Sequence, residues 1–216
     1  MTPDGKSRLT IAVCVAVIIA SCAWIYFTQV KAAKYNVALH RRIGEVLAEQ
    51  TANVVGKKGK VVTIAIDVKQ WPELGTQLEA FKATLQRLGH YELREYEMDT
   101  KDQPKYGVGT GLSGRRYVRT VNKNTNANVF VSFVGAPKLT PEETVELEGK
   151  PKLIAESRSP NNLPQLFSNK LISVAVVSRF HFPAPLKGNP KTPEDWFAKQ
   201  YQVLTAEGAG SIPKTE

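Results

Sequence analysis

Four short apolar, β-branched runs punctuate the chain: "VVTIAID" (61–67), "VFVSFV" (129–134), "KLIAES" (152–157) and "LISVAVVSRF" (171–180). A run that is apolar on both faces must be buried on both, and helices between such runs supply the cover, so the pattern implies a parallel sheet. The intervening segments read as helices. In "WPELGTQLEAFKATLQRLG" Pro72 occupies a first helical position, Leu74, Leu78, Phe81, Leu85 and Leu88 step by four and three, and Gly89 ends the run. A helix is predicted from Ser113 to Lys123. Thr140, Pro141 and Glu143 form a capping-box start for a helix over 141–148, and "NNLPQLF" gives a brief helical turn. "TPEDWFAKQYQVLT", from Thr192, predicts a closing helix that packs Trp196, Phe197, Tyr201 and Val203 or Leu204. "YELREYEMD" (91–99) alternates like a strand near a sheet edge. The expectation is a doubly wound α/β domain over 60–207, with five parallel strands in the order 2-1-3-4-5 and a frayed tail at 208–216.

Ahead of this domain lies "LTIAVCVAVIIASCAWIYF" (9–27), uncharged and strongly apolar. At about 1.5 Å per residue such a helix just spans a hydrocarbon core. Lys6 and Arg8 in the flank 1–8 precede it, and Trp24 and Tyr26 fall where interfacial aromatics sit. The segment reads as a signal anchor, because its apolar run continues through "AWIYF" where a cleaved signal peptide turns polar. The rival is a lipoprotein-type processing site, with "IASC" ending at Cys22. Residues 28–56 follow as a helical stalk, with Leu39, Ile43, Val46 or Leu47 and Val54 at helical spacing, packing one stripe on the domain or on a partner chain.

The net charge of +9 bears on partners. Most of the excess lies in residues 1–60, beside the apolar segment, which argues for a membrane surface and against nucleic acid. Basic residues flank the segment on both sides, so orientation rests on the general behaviour of short N-terminal anchors, which places the domain outside the cytoplasm. Cys14 and Cys22 both lie within the apolar segment, leaving the domain without a disulfide or a thiolate metal site.

The succession "VVTIAID", a helix ending "LQRLG", "YELREYEMD" and "NANVFVSFVGAP" resembles one lobe of a type 1 periplasmic binding protein, the family that includes extracellular sugar receptors. The resemblance covers about residues 60–180. It implies capture of a sugar or similar solute between two such lobes, of which one is present, so that another chain would supply the facing wall. No ligand-contacting motif of that family transfers to residues of this chain.

"GVGTGLSGRRYVR" (107–119) has glycines in G-x-G-x-x-G spacing, but they follow the second strand, whereas a dinucleotide loop joins the first strand to the first helix. The first turn is the bulky "DVKQWPELG", and no phosphate-binding P-loop occurs. The ordinary reading of the glycine loop is a capped helix start with solvated arginines. The functional one is a polar or anionic ligand held by backbone N–H groups after Gly111 and Ser113 and by Arg115 and Arg116. Asp67 and Asp99 end the first two strands, where ligands bind in this fold class, although aspartate there also caps turns. Trp71 suits stacking on a sugar ring or stapling the helix start.

His40, His90 and His181 share no metal-binding spacing, and "GLSGR" is no nucleophile elbow. No catalytic residue, metal site or cofactor is expected. The sequence thus points to a membrane-anchored, extracytoplasmic solute-binding or sensory-type module without catalysis, built on Asp67, Trp71, Asp99, Gly111, Ser113, Arg115 and Arg116. The alternative is an assembly component of a cell-envelope complex, using the stalk and closing helix as contact surfaces.

Overall fold

The apolar runs lie side by side in one sheet. The computed structural model describes residues 3–25, 35–98, 111–160, 162–179 and 188–211, in two compact units, Met1–Asn36 and Val37–Glu216. The first contains helix α1 (Pro3–Ile25). Its described side chains are exposed around the whole circumference, among them Ile11, Val15, Ile18 and Trp24. Among the described residues no helix is long and apolar enough to cross a membrane. The described side chains of α1 are those of residues 10–24, and Tyr26 and Phe27 of the expected span lie outside the described residues.

The second unit runs α2 (Val37–Val55), β1 (Lys58–Ala65), α3 (Pro72–Leu88), β2 (His90–Glu97), β3 (Leu112–Ser113), α4 (Gly114–Lys123), β4 (Val129–Ser132), β5 (Pro137–Lys138), α5 (Pro141–Glu146), β6 (Lys152–Ser157), α6 (Leu163–Ser168), β7 (Ile172–Ser178), α7 (Pro193–Gln200) and β8 (Tyr201–Thr205). The main sheet has the order β2-β1-β4-β6-β7-β8. Its first five members are parallel and reproduce the 2-1-3-4-5 order expected of a doubly wound domain.

Two corrections concern strands. The sheet has six, because the predicted closing helix stops at Gln200 and Tyr201–Thr205 pairs antiparallel with β7, Val176 facing Val203 and Ser178 facing Tyr201. Residues 196, 197, 201 and 204 fit a helical stripe, but "YQVLT" also alternates, and pairing with an otherwise open β7 edge decides between the two periods. A second, two-stranded sheet joins β3 to β5, in parallel.

One face of the sheet carries α2 and α3, and the other carries α4. The aromatic pairs fix this arrangement: Phe81 of α3 meets Phe133 edge-on at 5.4 Å, and Tyr117 of α4 meets Phe130 at 5.9 Å. Successive strand residues point to opposite faces, so Val131 lies on the α2–α3 side. The stripe of α2 expected on a stalk is spent on this unit, with Leu39, Ile43, Val46, Leu47 and Ala48 buried. At the crossing of α2 and α3, a Cβ on Gly44 would stand 2.1 Å from the Gln77 carbonyl oxygen, so only glycine permits this approach. Arg42 of α2 joins Glu45 at 3.2 Å, Glu49 at 2.8 Å and Glu194 of α7 at 3.7 Å.

Candidate functional site

In a doubly wound sheet the loops at the carboxyl ends of the strands form a crevice where the strand order reverses, which here is between β1 and β4. The β1–α3 loop leaves the carboxyl end of β1. Asp67 Oδ1 accepts a hydrogen bond from the Lys69 N–H (2.9 Å), Oδ2 accepts from Gln70 Nε2 (3.4 Å), and the Trp71 N–H donates to the Val68 carbonyl (3.3 Å). The aspartate therefore shapes its own turn. Trp71 is the residue before α3 and packs against the core, and its indole N–H is buried with no hydrogen-bond partner. An unmet buried donor of this kind costs about 1–3 kcal/mol.

Beyond β4, three segments are tied together. Gly111 N–H donates to the Val134 carbonyl and Leu112 N–H to the Ala136 carbonyl, both at 3.3 Å. Asn162 Nδ2, from the turn before α6, donates to the Pro137 carbonyl at 2.6 Å. Gly111 has φ +114°, which a side chain would strain. Ser132 closes the β4 turn, its hydroxyl donating to the Gly135 carbonyl at 2.7 Å. Ser113 stands at the N-cap position of α4 with an exposed side chain that makes no capping hydrogen bond.

The start of α4 has a neighbour that sequence reasoning missed. A Cβ on Gly114 would come 2.1 Å from Glu143 Oε2 and 2.3 Å from the Lys138 carbonyl oxygen. Glu143 is the carboxylate of the α5 capping box, accepting from the Thr140 N–H at 3.0 Å while Thr140 Oγ1 accepts from the Glu143 N–H at 3.3 Å. A negative group of the chain thus already lies beside the first residue of α4, where the helix dipole favours one. Arg115 is exposed and Arg116 half-buried. Asp67 and Trp71 thus lie in the loop after β1, and Gly111, Ser113, Arg115 and Arg116 lie at the β3–α4 corner, which is tied to the turn after β4. Asp99 lies outside the described residues.

A second polar group was not read from the sequence. Glu156, next to last in β6, is fully buried; neither carboxylate oxygen meets strict hydrogen-bond geometry, and the Tyr201 hydroxyl is the hydrogen-bonding group that bears on it. Burial pushes its carboxyl up to about 7, against the opposing pull of Arg158 and Tyr201. Burial and the neighbouring Glu156 push the Tyr201 hydroxyl well above its ordinary range. Nearby on α2, His40 Nδ1 lies 2.9 Å from Gln77 Nε2, and burial holds the imidazole below its usual value. The signal available in the sequence was one carboxylate inside the otherwise uncharged core of a strand, flanked by Ala155 and Ser157. Among the described residues no group of three or more histidine, cysteine or acidic side chains is placed to hold a metal.

No family model matches the sequence, and no curated protein matches it. Solved structures do match in fold. The arabinose-binding protein AraP of Geobacillus stearothermophilus superposes with a TM-score of 0.54 at 14% identity, over 81% of this chain and 63% of its own. A solute-binding protein of Agrobacterium vitis, bound to α-D-tagatopyranose, gives 0.52 at 13% identity, over 82% and 61%.

The fold resembles the type 1 periplasmic binding proteins. A protein in the XylFII–LytSN complex matches with a TM-score of 0.50 at 12% identity, over 78% of this chain and 60% of its own. The chain spans 60–63% of the length of these three neighbours. At such identities the likeness is one of fold, and the site has to be argued from this chain's own residues.

Proposed function

We propose that the protein is a membrane-anchored, extracytoplasmic solute-binding or sensory-type module that captures a small polar solute without catalysis. The observation that carries this reading is the placement of Asp67, Trp71 and the 111–116 corner on the loops either side of the reversal between β1 and β4, in a fold shared with sugar-binding proteins. The half-buried Trp71 supplies an apolar ring for a sugar at the start of α3. Gly111, Ser113, Arg115 and Arg116 bind the polar end, and Asp99, the remaining residue expected from the sequence, lies outside the described residues. Of the two ligand types expected, a neutral polyol suits the site better than a free anion, since the Glu143 carboxylate already stands beside Gly114.

Anchoring rests on residues 9–27. The exposed Ile11, Val15, Ile18 and Trp24 of α1 give an apolar surface on every side, as a helix in lipid requires. Lipidation at Cys22, which is exposed on α1, is the alternative means of attachment. An envelope-assembly role is weakened by the burial of the α2 stripe within its own unit.

The test is thermal unfolding of the full chain in detergent with pentoses, hexoses, nucleotides, phosphate and divalent metals. A ligand at 100 times its Kd adds about 2.7 kcal/mol. A sugar-selective shift that Trp71→Ala removes supports the reading, and a shift with phosphate alone moves the site to Arg115 and Arg116. A flat response from a cooperatively folding protein refutes solute capture.

A further inference from the structure

Glu156 stands in register with Val176 of β7, which is in turn in register with Val203 of β8, and the alternation through Ile154 and Val131 places its side chain on the α2–α3 face of the sheet. It is the one buried charged residue among the described residues. The groups bearing on it are Arg158, just past the end of β6, and the hydroxyl of Tyr201, which begins β8. On the elements around it, His40 of α2 feels Glu73 of α3 and Arg158. Arg42 of α2 is engaged by Glu45, Glu49 and Glu194, and Asp195 of α7 accepts from the Lys191 and Thr192 N–H groups. No titratable side chain lies within β4 or β7; Arg179, after β7, donates through Nε to the Tyr201 carbonyl at 3.1 Å.

A protonated carboxyl is tolerable in this place, but a fully buried carboxylate with only the Tyr201 hydroxyl to draw on is not, so ionisation has to be relieved by movement that brings in water or Arg158. The flanking elements differ in how easily they yield. β4 and β7 are inner strands paired on both sides, and α2 and α3 are long and well buried. β8 is a five-residue edge strand paired only with β7. The preceding α7 has no fully buried residue, and it is tied in through Phe197 stacked on Tyr201 at 5.9 Å and through the Arg42–Glu194 pair. Least resistance therefore lies on the β8 side.

We propose that Glu156 is a proton-controlled latch: protonated, it lets Tyr201 and β8 close over the α2 side of the sheet, and ionised, it opens the α7–β8 edge. The carboxyl's elevation to about 7 puts the changeover near neutrality, so a modest change in external pH would alter this edge.

Hydrogen exchange of the full chain at pH 5 and pH 8, corrected for intrinsic exchange, tests the latch. If opening returns Glu156 to its ordinary value, the opening constant of residues 193–205 rises on the order of 50-fold between these pH values, while β1 and β4 stay unchanged. Glu156→Gln holds the edge equally protected at both. An equal pH response in wild type and E156Q, or none in wild type, overturns the proposal. If E156Q does not fold, carbon-13 titration of labelled glutamate carboxyls in wild type decides. One carboxyl titrating near neutrality with the same midpoint as β8 exchange supports the latch, and carboxyls that all titrate in the ordinary range refute it.

Discussion

Replacing Glu156 by Gln keeps the size and shape of the side chain and removes only its ability to ionise. In the folded protein the carboxyl is held up to about 7 from an ordinary 4.5. Below about pH 4.5 it is protonated in both folded and unfolded chains and contributes no pH dependence. Between there and about 7 the unfolded chain has released a proton that the folded chain retains, so wild-type stability falls as pH rises, and above 7 the deficit is constant. At about 1.4 kcal/mol per pK unit, the full deficit is about 3 kcal/mol. Other groups titrate in the same window, among them His40, so the quantity to measure is the difference between wild type and variant. Thermal or denaturant unfolding from pH 4 to 8.5 should show E156Q gaining about 3 kcal/mol on wild type across the range, or roughly 6–12 °C in midpoint at 2–4 °C per kcal/mol. Stability curves that stay parallel across this range would refute the assignment of a buried carboxyl held above its ordinary value.

Three further substitutions test the packing that supports the site. Gly44→Ala forces a methyl group against the Gln77 carbonyl and should cost about 1–3 kcal/mol in denaturant unfolding, whereas an unchanged midpoint would mean that α2 and α3 do not cross as closely as described. Phe81→Ala removes a fully buried ring packed edge-on against Phe133 and should cost about 3–5 kcal/mol by the same assay. Thr140→Ala removes the hydroxyl that accepts from the Glu143 N–H and should cost about 1 kcal/mol by the same assay, while the Thr140 N–H still holds the Glu143 carboxylate. Phosphate binding no stronger in Glu143→Gln than in wild type would contradict the view that this carboxylate already satisfies the start of α4.

Four of the five parallel strands were legible because burial on both faces writes itself into sequence as runs of valine, isoleucine and leucine, and β2 because its alternation marks an edge strand. So were the α5 and α7 starts, since Thr-Pro-Glu places the capping hydroxyl and a first-turn carboxylate at fixed offsets. β8 was hidden because Tyr201 and Leu204 suit a helix as well as an edge strand, and only the open side of β7 selects between them. The two-stranded β3–β5 sheet is two residues long on each side and leaves no period to detect. Within the site, Asp67 and Trp71 could be placed from their position after a strand. The closeness of Glu143 to Gly114 and the isolation of Glu156 depend on contacts between segments far apart in sequence, which no local pattern encodes.

Calorimetric titration of the full chain with single pentoses and hexoses tests solute capture most directly, repeated with Trp71→Ala and Asp67→Ala. The account predicts saturable one-site binding of at least one sugar, with affinity lost in Trp71→Ala. Heats no larger than dilution for every sugar, from a protein that unfolds cooperatively, would contradict it.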